Sequence, residues 1–222
     1  MIRLVKKPVV DTNSVEGIRI SELYRVYGDI ALFWHQDAGK AVISMLDGDM
    51  IISGEPTDKE ELSAFIGAVS PKSVFANSKT LSMLGLYENS LKVSVLLSNK
   101  KYRSTEKSDT LSSKDVYDLL SCGGFQLPEY EFFATDYCLR LNKNRLRYFA
   151  IRDTAVAMCI GKRNVLINGM LSKESGCGSR CLNGLLSEAD ALNVYVCATE
   201  KAAGFYVKNG FCKIYDAGYW RK

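Results

Sequence analysis

The chain has 222 residues, 47% of them hydrophobic and 24% charged, enough for one elongated core or two small domains. Its formal net charge of +4 is spread along the sequence, which tolerates an anionic ligand but lacks the clustered basic face of a nucleic-acid binder. The N-terminus lacks the apolar core of a signal peptide and no apolar run reaches the roughly 18 residues of a membrane span; seven scattered cysteines without a CxxC pair suggest a reducing cytoplasm, with neither disulfide framework nor metal site.

In chain order, the spacing of apolar residues predicts a helix over residues 15–26 and strands near 30–34, 41–45 and 50–52. Thr57 and Glu60 have the spacing of a capping box that opens a helix through Val69. A short strand at 73–76, a helix near 80–84 and a strand at 91–97 follow. Residues 99–113, NKKYRSTEKSDTLSS, are polar and lysine-rich and read as a surface linker. Beyond it lie helices at 113–120 and 129–141, then strands near 146–151, 155–160 and 165–170. A helix over 178–191 carries Leu182, Leu185, Leu186 and Ala189 on one face. NVYVCA does not alternate and reads as a strand buried on both faces. Thr199 can cap a helix through Lys208, Asn209–Gly210 ends it, and FCKIY is the last strand. Each half thus shows a helix, three strands, a helix, a strand, a helix and a strand. Either the chain repeats one plan or its N-terminal half is an unrelated α/β domain.

The segment that carries chemistry is NVLINGMLSKESGCGSRCLNGLL. A strand ends at Met170–Leu171, a loop holds Gly176 and Gly178, and a helix starts at once. Amides at a helix start are unpaired and the helix dipole adds partial positive charge there. Glycines let such a backbone approach a ligand, so the loop suits phosphate groups. A plain tight turn would look the same, and the absence of GK[ST] excludes a Walker loop.

A second segment, CATEKAAGFYVKNGF, follows at residues 197–211. Together the two resemble the GNAT superfamily of N-acetyltransferases, in which [RQ]-x-x-G-x-[GA] opens one helix and Tyr-x-x-x-Gly-Phe closes the next. Lys173, Gly176 and Gly178 fill the first pattern here; Tyr206, Gly210 and Phe211 fill the second. The resemblance covers residues 124–220 and is specific in its last third. It implies an α/β fold of tandem GNAT-like halves, each a mixed, mostly antiparallel sheet flanked by helices. Residues 1–105 would form a half without a coenzyme loop and residues 106–222 an acetyltransferase domain.

The resemblance also implies acetyl-coenzyme A as cosubstrate, an amine of a small molecule or protein as acceptor, and no metal. The backbone of Asn168, Gly169, Met170 and Leu171 would pair with the pantetheine arm. Lys173 and the loop amides of Ser175, Gly176, Cys177, Gly178 and Ser179 would hold the pyrophosphate. A lysine keeps the charge of the family's usual arginine but loses its bidentate fork. Thr199 is either a coenzyme contact or only a helix cap. Tyr206 matches the tyrosine that protonates the departing thiolate, a role suited to a phenol that stays protonated at neutral pH. No glutamate stands on the strand ahead of the loop, so the general base has no assignment. Glu129, Glu131 and Asp136 either serve as a base, Glu131 and Asp136 through water, or are only solvated helix residues, and the single histidine, His35, reads as packing or surface. The alternative implied by these departures is a degenerate GNAT fold that binds acyl-CoA or regulates without catalysis.

Overall fold

The computed structural model describes residues Met1 to Lys222, the side chain of Ala38 apart. It is an α/β chain with eleven strands and seven helices among the described residues. The residues divide into two compact units: Met1–Leu97 with Tyr195–Lys222, and Ser98–Val194.

The first unit is built from β1 (Ile2–Leu4), α1 (Val15–Tyr27), β2 (Leu32–Gln36), β3 (Ala41–Leu46), β4 (Asp49–Gly54), α2 (Lys59–Val69), β5 (Ser73–Asn77), α3 (Ser78–Met83) and β6 (Ser90–Ser98). The C-terminal strand, Cys212–Arg221, enters the same sheet. Its strand order is β1-β2-β3-β4-β5, then the C-terminal strand, then β6. All pairs are antiparallel except β4 with β5. Alternation along the strands sends residues to two cores. Phe33 and Val42 pack with Ile20, Leu23 and Tyr24 of α1. Their neighbours Trp34 and Ile43 pack in the opposite core with Leu62, Phe65 and Leu81.

The parallel pairing of β4 with β5 stops early. Its register runs from Asp49↔Ser73 to Ile51↔Phe75. Beyond that point β4 stays with β3, as Gly54 pairs with Ala41. β5 stays with the C-terminal strand, as Asn77 pairs with Ala217. The two strands therefore part at their C-terminal ends. There Gly54 has φ +91° and a Cβ would collide with the Lys40 carbonyl oxygen, so only glycine fits.

The second unit contains α4 (Ser113–Ser121), α5 (Tyr130–Asn142), β7 (Leu146–Ile151), β8 (Ala155–Gly161), β9 (Asn164–Ser172) and α6 (Cys177–Ala189). β7, β8 and β9 form an antiparallel meander. Every residue of β8 is buried, because helices cover both faces. Phe149 of β7 faces α6, while its neighbour Tyr148 meets Tyr137 of α5 at 6.0 Å between ring centroids. β10 (Asn193–Ala198) straddles the division, and α7 (Glu200–Lys208) and β11 (Cys212–Arg221) belong to the first unit.

Two local expectations are corrected here, and one strand is added. The cap of α2 is Asp58, whose carboxylate accepts from Glu61 N at 2.8 Å. Thr57 is taken by other partners: its amide donates to Gln36 Oε1 and its hydroxyl to Asp37 Oδ2. A carboxylate is also the stronger acceptor at a helix start. The polar segment around 99–112 is a tied strap within the second unit. Asp109 N donates to Ala150 O at 3.0 Å, Ala150 N to Ser108 Oγ at 3.0 Å, and Ser104 N to Ser187 Oγ at 3.1 Å. Ser108 and Asp109 occupy backbone groups of β7 that would otherwise stay unpaired. Finally, β1 is an added edge strand, with Arg3 opposite His35.

Candidate functional site

Strand β9 is interrupted at one position. Its register with β8 steps from Cys159↔Ile167 to Met158↔Gly169, leaving Asn168 as the extra residue, exposed, in a β-bulge. A bulge bends its strand and frees one residue's backbone from the ladder. The strand then runs through Gly169, Met170 and Leu171 to Ser172, with Gly169 packed under Leu120 of α4.

The connection from β9 to α6 is short. Lys173 N donates to Thr154 O at 2.8 Å, so its amide is committed to the protein while its side chain is exposed. Ser172 Oγ donates to Glu174 O at 2.7 Å. Gly176 turns the chain with φ 84° into α6, and no side chain caps that helix. No acidic residue lies in its first turn, where Cys177 and Gly178 are buried. The first amides of an α-helix have no partner within it, and they carry the positive end of its dipole. Ser175, Gly176, Cys177, Gly178 and Ser179 are thus brought together as an open cradle of backbone donors. Glu174 stands against it: the Cys177 thiol reaches toward its carboxylate, Sγ to Oε2 3.7 Å.

Helix α6 is fixed by close packing. Cys181, Leu182, Leu185 and Leu186 are buried, and Cys181 Sγ donates to Phe149 O at 3.1 Å. Gly184 lies directly against the Phe149 ring. Its N-terminus is therefore held by a rigid element, which favours preorganised binding.

Thr199 and Tyr206 fall in the other compact unit, on α7. Thr199 takes the cap position of α7 by its backbone, but its side chain makes no capping bond. Tyr206 is buried between Phe205 and Phe211, with ring centroids 5.1 and 5.6 Å away in edge-on geometry. Burial pushes its phenol up to about 12. It therefore remains protonated at neutral pH and can donate.

The carboxylates of α5 are engaged or exposed. Asp136 accepts from Arg140 Nε through both oxygens, at 2.7 and 2.9 Å. His35 Nε2 accepts from Val9 N at 3.1 Å, a packing role. Among the described residues, no helix is long and apolar enough to cross a membrane.

The corresponding loop in the first unit is built differently. After β4, Glu55 N donates to Lys40 O at 2.9 Å and Thr57 N to Gln36 Oε1 at 3.2 Å; Gln36 is fully buried and also donates to Asp58 O and Glu61 Oε2, both at 2.9 Å. Helix α2 is capped by Asp58 and carries Glu60 and Glu61 in its first turn. Three carboxylates at a helix start repel an anion. Nearby lies a buried polar network that sequence reasoning missed. Glu16 Oε2 accepts from the Tyr215 hydroxyl at 2.7 Å. Arg19 donates to the Tyr219 hydroxyl, with its guanidinium over the Phe75 and Tyr219 rings at 4.3 and 5.1 Å. The only sequence signal is a charged residue within the buried run Val15–Glu16–Gly17–Ile18, which is also an ordinary helix start.

No known protein family matches the sequence, and no curated protein matches it either. Solved structures do match. A GCN5-related N-acetyltransferase from Kribbella flavida superposes with a TM-score of 0.61 at 13% identity, over 94% of each chain. A tandem GNAT protein from the clavulanic acid biosynthesis pathway gives 0.55 at 10% identity, over 100% of this chain and 98% of that one. A Drosophila protein gives the same score at 8% identity, with the same coverage. At these identities the likeness is one of fold, and that fold is the GNAT fold.

Proposed function

We propose that this chain binds acetyl-coenzyme A and transfers its acetyl group to an amine of a small molecule or protein. The observation that carries the reading is the N-terminus of α6: uncapped, free of acid in its first turn, opened by a glycine at positive φ, and following a bulged strand. Backbone amides there suit a pyrophosphate, and the strand segment Asn168 to Leu171, released from β8 at Asn168, suits an extended amide-bearing arm. Lys173 adds a mobile positive charge beside the cradle. The bound cosubstrate supplies an activated thioester.

Tyr206 is assigned as the proton donor for the departing sulfur. A phenol held near 12 is a weaker acid than a thiol, whose ordinary value is about 8.5. Its contribution is therefore a hydrogen bond that holds negative charge on sulfur, with full proton transfer running uphill. Thr199 is assigned as a polar contact, because its side chain makes no capping bond in α7.

The tandem organisation belongs to the same proposal, with residues 1–105 as a half without a coenzyme loop and 106–222 as the acetyltransferase half. Its support is the element order. α1-β2-β3-β4-α2-β5-α3-β6 recurs as α5-β7-β8-β9-α6-β10-α7-β11. A second reading, coenzyme binding without transfer, draws support from Asp136 being engaged by Arg140 and from Glu174 beside the cradle. Acetyl-CoA consumption against a panel of amines separates the two. The transferase reading expects turnover that falls roughly 100-fold in Tyr206→Phe with little change in coenzyme affinity. Absence of turnover with every amine, despite coenzyme binding, would favour the second reading.

A further inference from the structure

At one end of the second unit the fold gathers positive charge that the sequence scatters. The register of β7 with β8 begins at Leu146↔Ile160, and β8 turns back at Gly161↔Val165. The start of β7 and the β8–β9 turn therefore lie side by side. Leu192 N donates to Arg163 O at 2.8 Å and Asn193 Nδ2 to Asn164 Oδ1 at 3.0 Å, which seats the α6–β10 connection on that turn. Arg147 Nη1 donates to Ala189 O at 2.7 Å, and Lys101 of the strap meets Asp190 at 3.6 Å, so the C-terminal end of α6 joins them. Helix α5 ends there too, at the chain's entry to β7. This end carries Lys101, Lys143, Arg145, Arg147, Lys162 and Arg163, against Glu188 and Asp190.

Part of this charge has a structural task. Cations complement the negative end of a helix dipole. Lys143 stands at the C-cap of α5, and Arg147 binds a last carbonyl of α6. Lys101 is held by Asp190. Lys162 and Arg163 are different: both are exposed, and neither side chain has a hydrogen-bond, ion-pair or ring partner among the described residues. The turn itself does not require them. Gly161, at φ +102°, supplies the positive φ, and small polar residues suit the positions beside it. Leu192, seated on Arg163, is 49% exposed. The unit's exposed aromatic residues, Phe125 and Phe132, lie before and at the start of α5, away from this end.

We infer that this end of the second unit docks an acidic segment of a partner protein, with Lys162 and Arg163 receiving carboxylates and Leu192 receiving an apolar side chain. An unpaired pair of cations among further positive residues steers a negatively charged segment toward it. Leu192 favours a peptide over a nucleic acid. A sugar–phosphate backbone offers an aliphatic side chain nothing, and unpaired bases ask for exposed aromatic rings to stack on. Helix α6 has 13 residues and is therefore about 20 Å long. That length separates the surface at its C-terminal end from the cradle at its start, so both can be occupied together. The inference goes beyond the acetyl-transfer reading and stands without it.

Fluorescence anisotropy of a labelled peptide, one leucine between two short runs of glutamate, tests it on the full chain. The peptide should bind saturably at low salt and weaken roughly tenfold between about 50 and 200 mM salt. Its glutamine analogue should not bind. Reversing the turn charge, Lys162→Glu with Arg163→Glu, should lower affinity at least tenfold, and Leu192→Ser about threefold. If the charge reversal does not fold, Lys162→Gln with Arg163→Gln replaces it, with a loss of about threefold. Coenzyme A affinity should stay unchanged in the turn variants, and peptide binding should survive Gly178→Glu, so the two readings fail separately. Absence of peptide binding at low salt, equal binding of the glutamine analogue, or equal affinity in the folded variants would each overturn the proposal. Tighter binding of a duplex RNA of the same charge would overturn it as well and give the surface to nucleic acid.

Discussion

Gly184→Ala tests how closely α6 rests on its sheet. A Cβ at this position would lie 2.5 and 2.6 Å from Cε2 and Cε1 of Phe149. Carbon atoms meet comfortably at about 3.5 Å, so the methyl is short by about 1 Å. Phe149 is fully buried, and its ring cannot swing into solvent to yield that space. Overpacking of this kind costs about 1–3 kcal/mol. Alanine regains up to about 1 kcal/mol of helix propensity over glycine, so the net change should be a loss of about 1–2 kcal/mol. For a chain of this size, that lowers Tm by roughly 2–8 °C. Thermal unfolding followed by circular dichroism reads it directly. A stabilised variant would mean that propensity alone acts, and that α6 does not approach β7 as described. Because α6 carries the cradle at its start, coenzyme affinity should fall in the same variant.

Two further predictions concern charge. Glu174→Gln removes the carboxylate beside the α6 N-terminus, so coenzyme A affinity should rise about two- to fivefold at low salt, with the gain shrinking as salt screens it; an unchanged Kd at low salt would place the anion elsewhere. Stability should fall as pH rises through about 10 toward 12. Tyr206 and Tyr219 are each pushed up to about 12 by burial, and Tyr137 and Tyr215 are raised as well. Above the ordinary phenol value of about 10 the unfolded chain releases these protons first, which favours unfolding. The stabilisation is complete below that value and lost above it, so denaturant midpoints that stay flat from pH 9 to about 12 would contradict the burial of these tyrosines.

The elements were legible where local pattern decides. The helical spacing of Leu182, Leu185 and Leu186 and the all-apolar run of β8 gave their elements directly, since periodicity reports the buried face. Gly176 marked the loop because its positive φ leaves a residue signature. What depends on distant partners was not legible. That β11 lies between β5 and β6 is a pairing across more than a hundred residues, and no local pattern encodes it. The strap at 99–112 read as solvent-facing because its serines and aspartate are polar, although Ser108 binds the β7 backbone and Asp109 the Arg152 amide just beyond it. Glu16 looked like an ordinary acidic residue in a helix's first turn, and only its burial separates it from a solvated one.

The central claim is that the N-terminus of α6 receives the coenzyme phosphates. Gly178→Glu places a carboxylate in the first turn of α6, where it is compatible with the helix but occupies the anion's position. Calorimetric titration of coenzyme A into the wild-type protein and this variant, both checked for a retained melting transition, tests the claim. The account predicts saturable binding to the wild-type protein and a loss of at least tenfold in the variant. Equal affinity in the two folded proteins, or no binding to the wild-type protein, would contradict it.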